Sequence, residues 1–366
     1  MQTVILAAGS GTRMQPLTGK TSKVMLPIAN KPMLAWLIDT MRTVSDEIIL
    51  VINKDQSDIQ KAFPDCKFVV QKNKLGTADA LRYAEGMVSG KFIVKNGDEL
   101  IDEEDLRKFS ESPPYTVACF RVKEPWRFGV FSLNEGKIVD IVEKPERPPS
   151  NLINAGMYLA DERIFDAIRN TPVSDRGEYE ITDTWKMMIQ SGIDYKPFVL
   201  SKWNTIGYPW HFFDANRLLL DKTGSMIKST ISSNVKVEQP VAIGPNTEIG
   251  DGSFVSQYSS IGENCKIGRN VFIENSVLMN NCYIADEAVI RDSIVGENVK
   301  IGAGTILENK AADGTVKMWV SGKLVDSGRQ TLGSVIGHNT VIGKGIKINA
   351  GTRIDPDSEI LVRSFG

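Results

Sequence analysis

The apolar positions of this chain keep two different rhythms, and the change comes near residue 225. In the first part, short apolar runs alternate with longer stretches whose apolar residues recur every three or four positions. The runs predict strands at 3–7, 47–52, 67–70, 91–95, 115–120, 138–142 and 196–200. Residues 32–44 read as a helix with Met33, Leu34, Trp36, Leu37, Ile38 and Met41 toward a core, and 77–88 as another that opens after Gly76. Strand–helix alternation predicts an α/β domain with a mostly parallel sheet and right-handed crossovers. Ligands of such sheets bind beyond the carboxyl ends of the strands.

In the second part Ile231, Val237, Ile243, Ile249, Val255, Ile261, Ile267, Ile273 and Met279 fall six residues apart. The period returns out of phase at Val289, Val295, Ile301 and Leu307, then at Ile336, Ile342, Ile348, Ile354 and Ile360. A hexapeptide period predicts a parallel β-helix in which each repeat forms one flat side of a triangular coil. The β-branched residues then stack as an inner column, with Gly244, Gly250, Gly262 and Gly268 at corners. The stretch 280–292 is about two residues short of a coil, and 309–331 leaves it as a loop or hairpin. The chain therefore divides into domains at 1–225 and 229–366.

With 366 residues, two domains are the natural division. A net charge of −2 lacks the basic surplus of a nucleic-acid or membrane-surface binder. No apolar run approaches the ~20 residues of a membrane span. Met1-Gln2-Thr3 offers no basic leader region. Cys66, Cys119, Cys265 and Cys282 form no C-x-x-C pair, which suggests a reduced, cytoplasmic setting, and with only two His a zinc site is not expected.

The densest chemistry lies in Leu6-Ala7-Ala8-Gly9-Ser10-Gly11-Thr12-Arg13. Small residues after a strand let backbone N–H groups approach an anion. Arg13 can fork onto phosphate, and Lys23, ahead of Pro27, is a second cation. Neither G-x-x-x-x-G-K-[ST] nor G-x-G-x-x-G is present, since Met14 stands where a third Gly would be. An ordinary βα turn with two surface cations remains the plain alternative. G-x-G-T-R followed by K-x-x-x-P resembles the sugar-1-phosphate nucleotidylyltransferases, the pyrophosphorylases that make nucleotide sugars. That resemblance spans nearly the whole chain, in the archaeal-type form with a C-terminal hexapeptide-repeat domain. It implies a Rossmann-like domain followed by a left-handed β-helix, a handedness that the spacing does not give.

The resemblance also implies roles. Nucleotide is held by Leu6, Ala8, Gly9, Gly11, Thr12, Arg13, Gln71, Gly76 and Thr77. Gln71 can pair with a pyrimidine, and relatives using GTP tend to carry an acid there, so UTP or dTTP is implied. A strand-end polar residue and a helix N-cap are the structural alternatives for Gln71 and Thr77. Asp98, in Gly97-Asp98, matches the family's Mg²⁺ ligand and is otherwise an Asx turn. Gly129, Glu143, Lys144, Asn154 and Gly156 match the sugar-phosphate site, and Gly177-Glu178-Tyr179-Glu180 matches a further segment or simply starts a helix. The family's second metal ligand is usually an Asp or Asn late in this domain, often within W-x-D-x-G. Here the segment reads Trp203-Asn204-Thr205-Ile206-Gly207, so Asn204 is the preferred ligand and Thr205 the second choice.

The implied reaction is attack of a sugar-1-phosphate, glucose or N-acetylglucosamine, on the nucleotide α-phosphorus with loss of pyrophosphate, Arg13, Lys23 and Asp98 being catalytic. Two further readings stand beside it. One adds acetyl transfer to glucosamine-1-phosphate in the β-helix, although the expected His is absent around Asn280-Asn281-Cys282-Tyr283 and the two histidines are His211 and His338. The other is a non-catalytic nucleotide-sugar sensor, against which Arg13, Lys23, Asp98, Glu143 and Lys144 are all retained. No nucleic acid or membrane partner is expected, and the repeat domain suggests a homo-oligomer, commonly a trimer in such coils.

Overall fold

The structure is a computed structural model, and it describes residues 1–19 and 21–361. The first part carries β1 (Gln2–Leu6), β2 (Pro27–Ile28), β3 (Lys31–Pro32), β4 (Glu47–Asn53), β5 (Lys67–Gln71), β6 (Phe92–Asn96) and β7 (Glu99–Ile101). It continues with β8 (Thr116–Arg121), β9 (Gly129–Asn134), β10 (Lys137–Glu143), β11 (Leu152–Ala160), β12 (Lys196–Val199) and β13 (Trp203–Thr205). The helices are α1 (Met33–Met41), α2 (Ser57–Ala62), α3 (Thr77–Arg82), α4 (Glu103–Ser110), α5 (Arg163–Arg169), α6 (Ile181–Gln190) and α7 (His211–Thr223). Two compact units emerge, and they do not follow chain order: Met1–Ser10 belongs with Leu34–Thr205, and Gly11–Met33 with the chain from Ile206 onward.

In the first unit a nine-stranded sheet runs β10-β9-β11-β6-β1-β4-β5, with β8 on β11 and β12 on β8. Only part of it is parallel. β5, β4, β1 and β6 run parallel, whereas β11 is antiparallel to β6, β8 and β9, and β9 to β10. The expected mostly parallel sheet is thus a mixed one. One antiparallel pair has a local cause, since β9 and β10 are joined by the two residues Glu135 and Gly136, both with positive φ, too short for a crossover helix, and the others follow from β11 entering between β6 and β9. The core packs Val4, Ile49, Val51, Phe92 and Val94 with Tyr158 and Trp185, whose rings meet edge-on at 4.3 Å. Helix α3 is shorter than its apolar pattern suggested, because the chain passes into turns after Arg82.

The second unit contains three parallel sheets of seven, six and six short strands, the three sides of a coil. Ile243, Ile261, Ile267, Ile273, Val295, Ile301, Leu307, Ile336 and Ile342 form its dry inner column. Two positions of the expected column are corrected. Ile261 pairs with Leu278, and Ile273 with Ile290, so Leu278 and Ile290 take the places given to Met279 and Val289. The two-residue deficit is two one-residue deficits, at the corners Asn275 and Asp292, both at φ 41°. There Asn275 Nδ2 and Asn309 Nδ2 each donate to a different oxygen of Asp292, both at 2.6 Å. The 309–331 excursion is a hairpin, Lys317–Val320 against Lys323–Asp326. Among the described residues no helix is long and apolar enough to cross a membrane.

Candidate functional site

In the first unit, β1 ends where the carbonyls of Leu6, Ala7 and Ala8 are each engaged. Gly97 N–H donates to Leu6 O at 2.9 Å, Gln56 Nε2 to Ala7 O at 2.9 Å, and Asn53 Nδ2 to Ala8 O at 2.9 Å. The next amides, of exposed Gly9 and Ser10, donate to no protein acceptor among the described residues. Fixed carbonyls beside open N–H groups are the arrangement an anion requires.

One strand over, β5 ends at buried Gln71. Its amide nitrogen donates to Asp79 Oδ2 at 2.8 Å and to Gly76 O at 3.3 Å, so the donor end is already engaged within the protein. Arg82 balances Asp79 at 2.7 Å. Gly76 has φ 106°, and a Cβ there would lie 2.5 Å from the carbonyl oxygen of Tyr179. Its glycine is therefore required by the 177–180 segment, which bonds Tyr179 N–H to Leu75 O at 2.7 Å and Ala78 N–H to Tyr179 O at 2.9 Å. Gly76 itself is the N-cap of α3, and the Thr77 hydroxyl instead accepts from Ile181 N–H at 3.0 Å, at the start of α6. The N-cap alternative for Thr77 is thereby corrected to a cap on a different helix.

Asp98 sits in the turn between β6 and β7. Beneath it lies an ion pair that sequence reading missed: Lys95, wholly buried, donates from Nζ to Glu99 Oε2 at 2.8 Å and to Gly156 O at 3.3 Å. Burial raises the Glu99 carboxyl above its ordinary range, Lys95 opposes this, and Asp98 adds to it. Gly156 has φ 59°, and a Cβ on it would collide with Glu99 Oε2 and Asn96 Nδ2. Asn154 Oδ1 accepts from Gly156 N–H at 2.9 Å, which closes the turn. So the Asp98 turn and the Asn154–Gly156 turn share one buried ion pair. A lysine inside an otherwise apolar strand run, four residues before a glutamate, was the available signal.

β13 pairs antiparallel with β7, Asn204 opposite Leu100 and Thr205 opposite Glu99. Directly paired residues share a face, and alternate residues return to it. Asn204 thus shares the face of Leu100 and Thr205 that of Glu99, while Asp98 lies in the turn just ahead of β7. Asn204 Oδ1 is buried without a hydrogen-bond partner. A carboxylate and an unpartnered amide oxygen are hard donors that fit a divalent cation. Among the described residues no group of three or more His, Cys, Asp or Glu could hold a metal alone. The remaining ligands would then be phosphate oxygens and water.

On the other side of this unit Glu143 ends β10. Its Oε1 is 3.1 Å from Lys144 Nζ and 3.4 Å from Arg176, and Gly129 lies so close that a Cβ would stand 2.9 Å from Oε2. Lys144 adopts φ 46°. Arg176 was not among the expected residues, yet it also reaches Glu180 at 3.1 Å and Glu178 at 3.6 Å. Burial raises the Glu180 carboxyl, Arg176 opposes that, and Glu143 reinforces it. Asp183 is likewise raised by burial and by Glu143. The signal for Arg176 was its place immediately ahead of the singled-out Gly177–Glu180.

In the second unit Gly11, at φ 64°, opens a 3₁₀ turn at Thr12–Met14. A Cβ on Gly11 would stand 2.7 Å from Lys23 Cβ, so that glycine brings the two cation-bearing turns together. Arg13 is exposed, and its guanidinium lies 5.3 Å from the centre of the Tyr208 ring, which stacks on buried Trp210 at 4.7 Å. His211 Nδ1 accepts from Gly207 N–H at 3.1 Å.

The chain is similar to known proteins along nearly its whole length. Residues 2–222 match the family model described as nucleotidyl transferase, and residues 225–315 match that of the EIF2B subunit epsilon LbH domain, a left-handed β-helix. The chain is 35% identical to the bifunctional protein GlmU of Methanocaldococcus jannaschii, covering 97% of this chain and 92% of that one. It is 32% identical to a bifunctional sugar-1-phosphate nucleotidylyltransferase/acetyltransferase of Sulfurisphaera tokodaii, over 98% and 97% of the two chains. A solved Bacillus anthracis structure, assigned as a glucose-1-phosphate thymidylyltransferase, superposes with TM-score 0.55 at 28% identity over 60% of this chain and 96% of its own. With more than half of its length matched by the first model and relatives aligned nearly end to end, this chain belongs to the nucleotidyl transferase family, in the form that continues into a left-handed β-helix.

Proposed function

We propose that this enzyme transfers a nucleotidyl group from UTP, or dTTP, to a sugar-1-phosphate, glucose-1-phosphate or N-acetylglucosamine-1-phosphate, releasing pyrophosphate. The observation that carries the reading is the end of β1, where the amides of Gly9 and Ser10 stand open beside the engaged carbonyls of Leu6, Ala7 and Ala8. A sugar-1-phosphate is close to a dianion at pH 7, with a second pKa of about 6, and needs no general base. Its oxygen forms the new bond to the α-phosphorus, and the bond from that phosphorus to the β-phosphate oxygen breaks in line. The obstacle is repulsion between two anions, so the protein's task is positioning and charge.

Arg13 neutralises the departing pyrophosphate, and Lys23 steadies the nucleotide phosphates. Lys144 takes the sugar phosphate and Glu143 the sugar hydroxyls. Arg176, held beside Glu143, is a further cation for the sugar phosphate. Gln71, its donor end fixed by Asp79, offers its amide oxygen to the pyrimidine N3–H. Mg²⁺, when held by Asp98 and Asn204, supplies charge neutralisation on the phosphates. The four cysteines are free and buried, which supports a cytoplasmic setting, and we assign the β-helix to self-association as a homo-oligomer.

Acetyl transfer, in the name of the Sulfurisphaera tokodaii relative, finds less support. His211 has Nδ1 bonded to Gly207 N–H, and His338 has both ring nitrogens engaged with backbone, so neither stands open as a base. Pyrophosphate release from a panel of sugar-1-phosphates with UTP, dTTP and GTP tests the main reading, with free thiol release from acetyl-CoA as the control for the second. Arg13→Ala and Asp98→Ala should each lower turnover by at least ~10²-fold, as loss of one oxyanion donor does. Near-normal release from either variant overturns the assignment.

A further inference from the structure

The segment that carries Thr12, Arg13 and Lys23 belongs, by its contacts, with the β-helix. Two anchors hold it. At the first, His338, on the corner after the strand Val335–Ile336, accepts at Nδ1 from Glu297 N–H at 2.9 Å. The neutral ring therefore carries its proton on Nε2, which donates to Leu17 O at 2.9 Å. Leu17 is wholly buried, and its neighbour Thr18 donates from Oγ1 to Gly11 O at 2.8 Å. The anchor thus connects within two residues to the glycine that fixes the Arg13 and Lys23 turns.

At the second anchor, the β2–β3 turn has two consecutive left-handed residues, Ala29 and Asn30, at φ 47° and 59°. Asn30 Nδ2 donates to Ile261 O at 2.6 Å. Ala29 N–H donates at 2.9 Å to Oδ1 of Asn216, a buried residue of α7. The same Asn216 accepts from Ser260 Oγ at 2.7 Å and donates to Tyr258 O at 2.7 Å. Both anchors rest on stacked coils, in which each repeat is held by its neighbours, and regular elements of this kind place a site more precisely than a loop does.

We propose that the β-helix is the rigid bed of the nucleotide loop, with His338 and Asn30 as positioning residues that act on the nucleotide through Leu17, Gly11 and the Arg13 and Lys23 turns. The inference rests on the reading of Arg13 and Lys23 as nucleotide cations. It gives the second domain a part in the first reaction. A loop displaced by about 1 Å loses on the order of 10²-fold in rate, and a single lost anchor should remove part of that.

The test uses the full-length protein. UTP binding by calorimetry and steady-state kinetics are measured for the parent, His338→Ala, His338→Gln and Asn30→Ala. We expect about 10-fold weaker UTP binding in the two alanine variants, with KM for the sugar-1-phosphate within about twofold of the parent. His338→Gln, which retains a donor near the Nε2 position, should recover part of the loss. Amide exchange should quicken at 11–19 while the coils at 235–307 stay protected. Unchanged UTP affinity in the alanine variants, whether or not Tm falls, overturns the proposal, because a purely structural contact would alter Tm alone. A parent that binds no UTP refutes the catalytic reading instead, so the two failures are distinguishable.

Discussion

Removing the ammonium from the buried Lys95–Glu99 pair is the sharpest perturbation this fold offers. Lys95→Met keeps the length of the side chain and deletes its charge. Glu99, only 7% exposed, is then left with Asn96 Nδ2 at 3.4 Å as its one side-chain partner. Gly156 O loses its 3.3 Å donor at the same time. Breaking one member of a buried ion pair costs about 3–5 kcal/mol, against a total stability of about 5–15 kcal/mol. For a unit of this size, that lowers Tm by roughly 6–20 °C. Replacing both partners, Lys95→Met with Glu99→Met, leaves no uncompensated charge and should return stability to within about 1 kcal/mol of the parent.

The pH dependence has a definite sign. Burial raises the Glu99 carboxyl above its ordinary 4.5, so the folded state holds that proton more tightly than the unfolded state. Its contribution is complete below pH 4.5 and is lost as pH rises through the folded value. Lys95 opposes the rise, so removing it widens the window. The penalty of Lys95→Met should therefore grow once pH passes the parent's raised folded value, by up to about 1.4 kcal/mol per unit, because only the variant still holds the proton there. Urea unfolding of the three proteins at several pH values measures this. A single-variant penalty under about 1 kcal/mol, or a double variant as unstable as the single, refutes the reasoning.

Asn204→Asp should lower the divalent cation concentration needed for half-maximal activity and Asn204→Ala should raise it, with Thr205→Ala near the parent; a metal titration of pyrophosphate release decides, and a larger effect at Thr205 reverses the ligand assignment. Arg176→Ala should raise KM for the sugar-1-phosphate about 10-fold, the equivalent of one charge-assisted hydrogen bond, and leave KM for UTP unchanged. A thiol reagent should label none of the four cysteines quickly in the native state, since all are buried; fast labelling of any one contradicts the packing described here.

The sequence alone determined whatever rests on local periodicity and residue type. The six-residue spacing required a coil, and the β-branched column fills it because each rung repeats the same side-chain directions. The small residues after β1 marked the anion loop, since only short side chains leave backbone amides approachable. Other features were decided by chain segments far apart in sequence. The two one-residue deficits at Asn275 and Asp292 became visible only when rungs were paired, because a missing residue shifts phase without changing composition. Gly76 looked like a ligand-facing glycine, and its actual neighbour, Tyr179, lies 103 residues away. That Asn204 Oδ1 is buried without a partner depends on the pairing of β13 with β7, which a single segment does not encode. The sheet became mixed because β11 was inserted between β6 and β9, and the 11–33 segment joined the β-helix through His338 and Asn30. Local sequence fixes which conformations are cheap; buried pairing between distant segments selects among them, because a buried polar group left without its partner is too costly to keep.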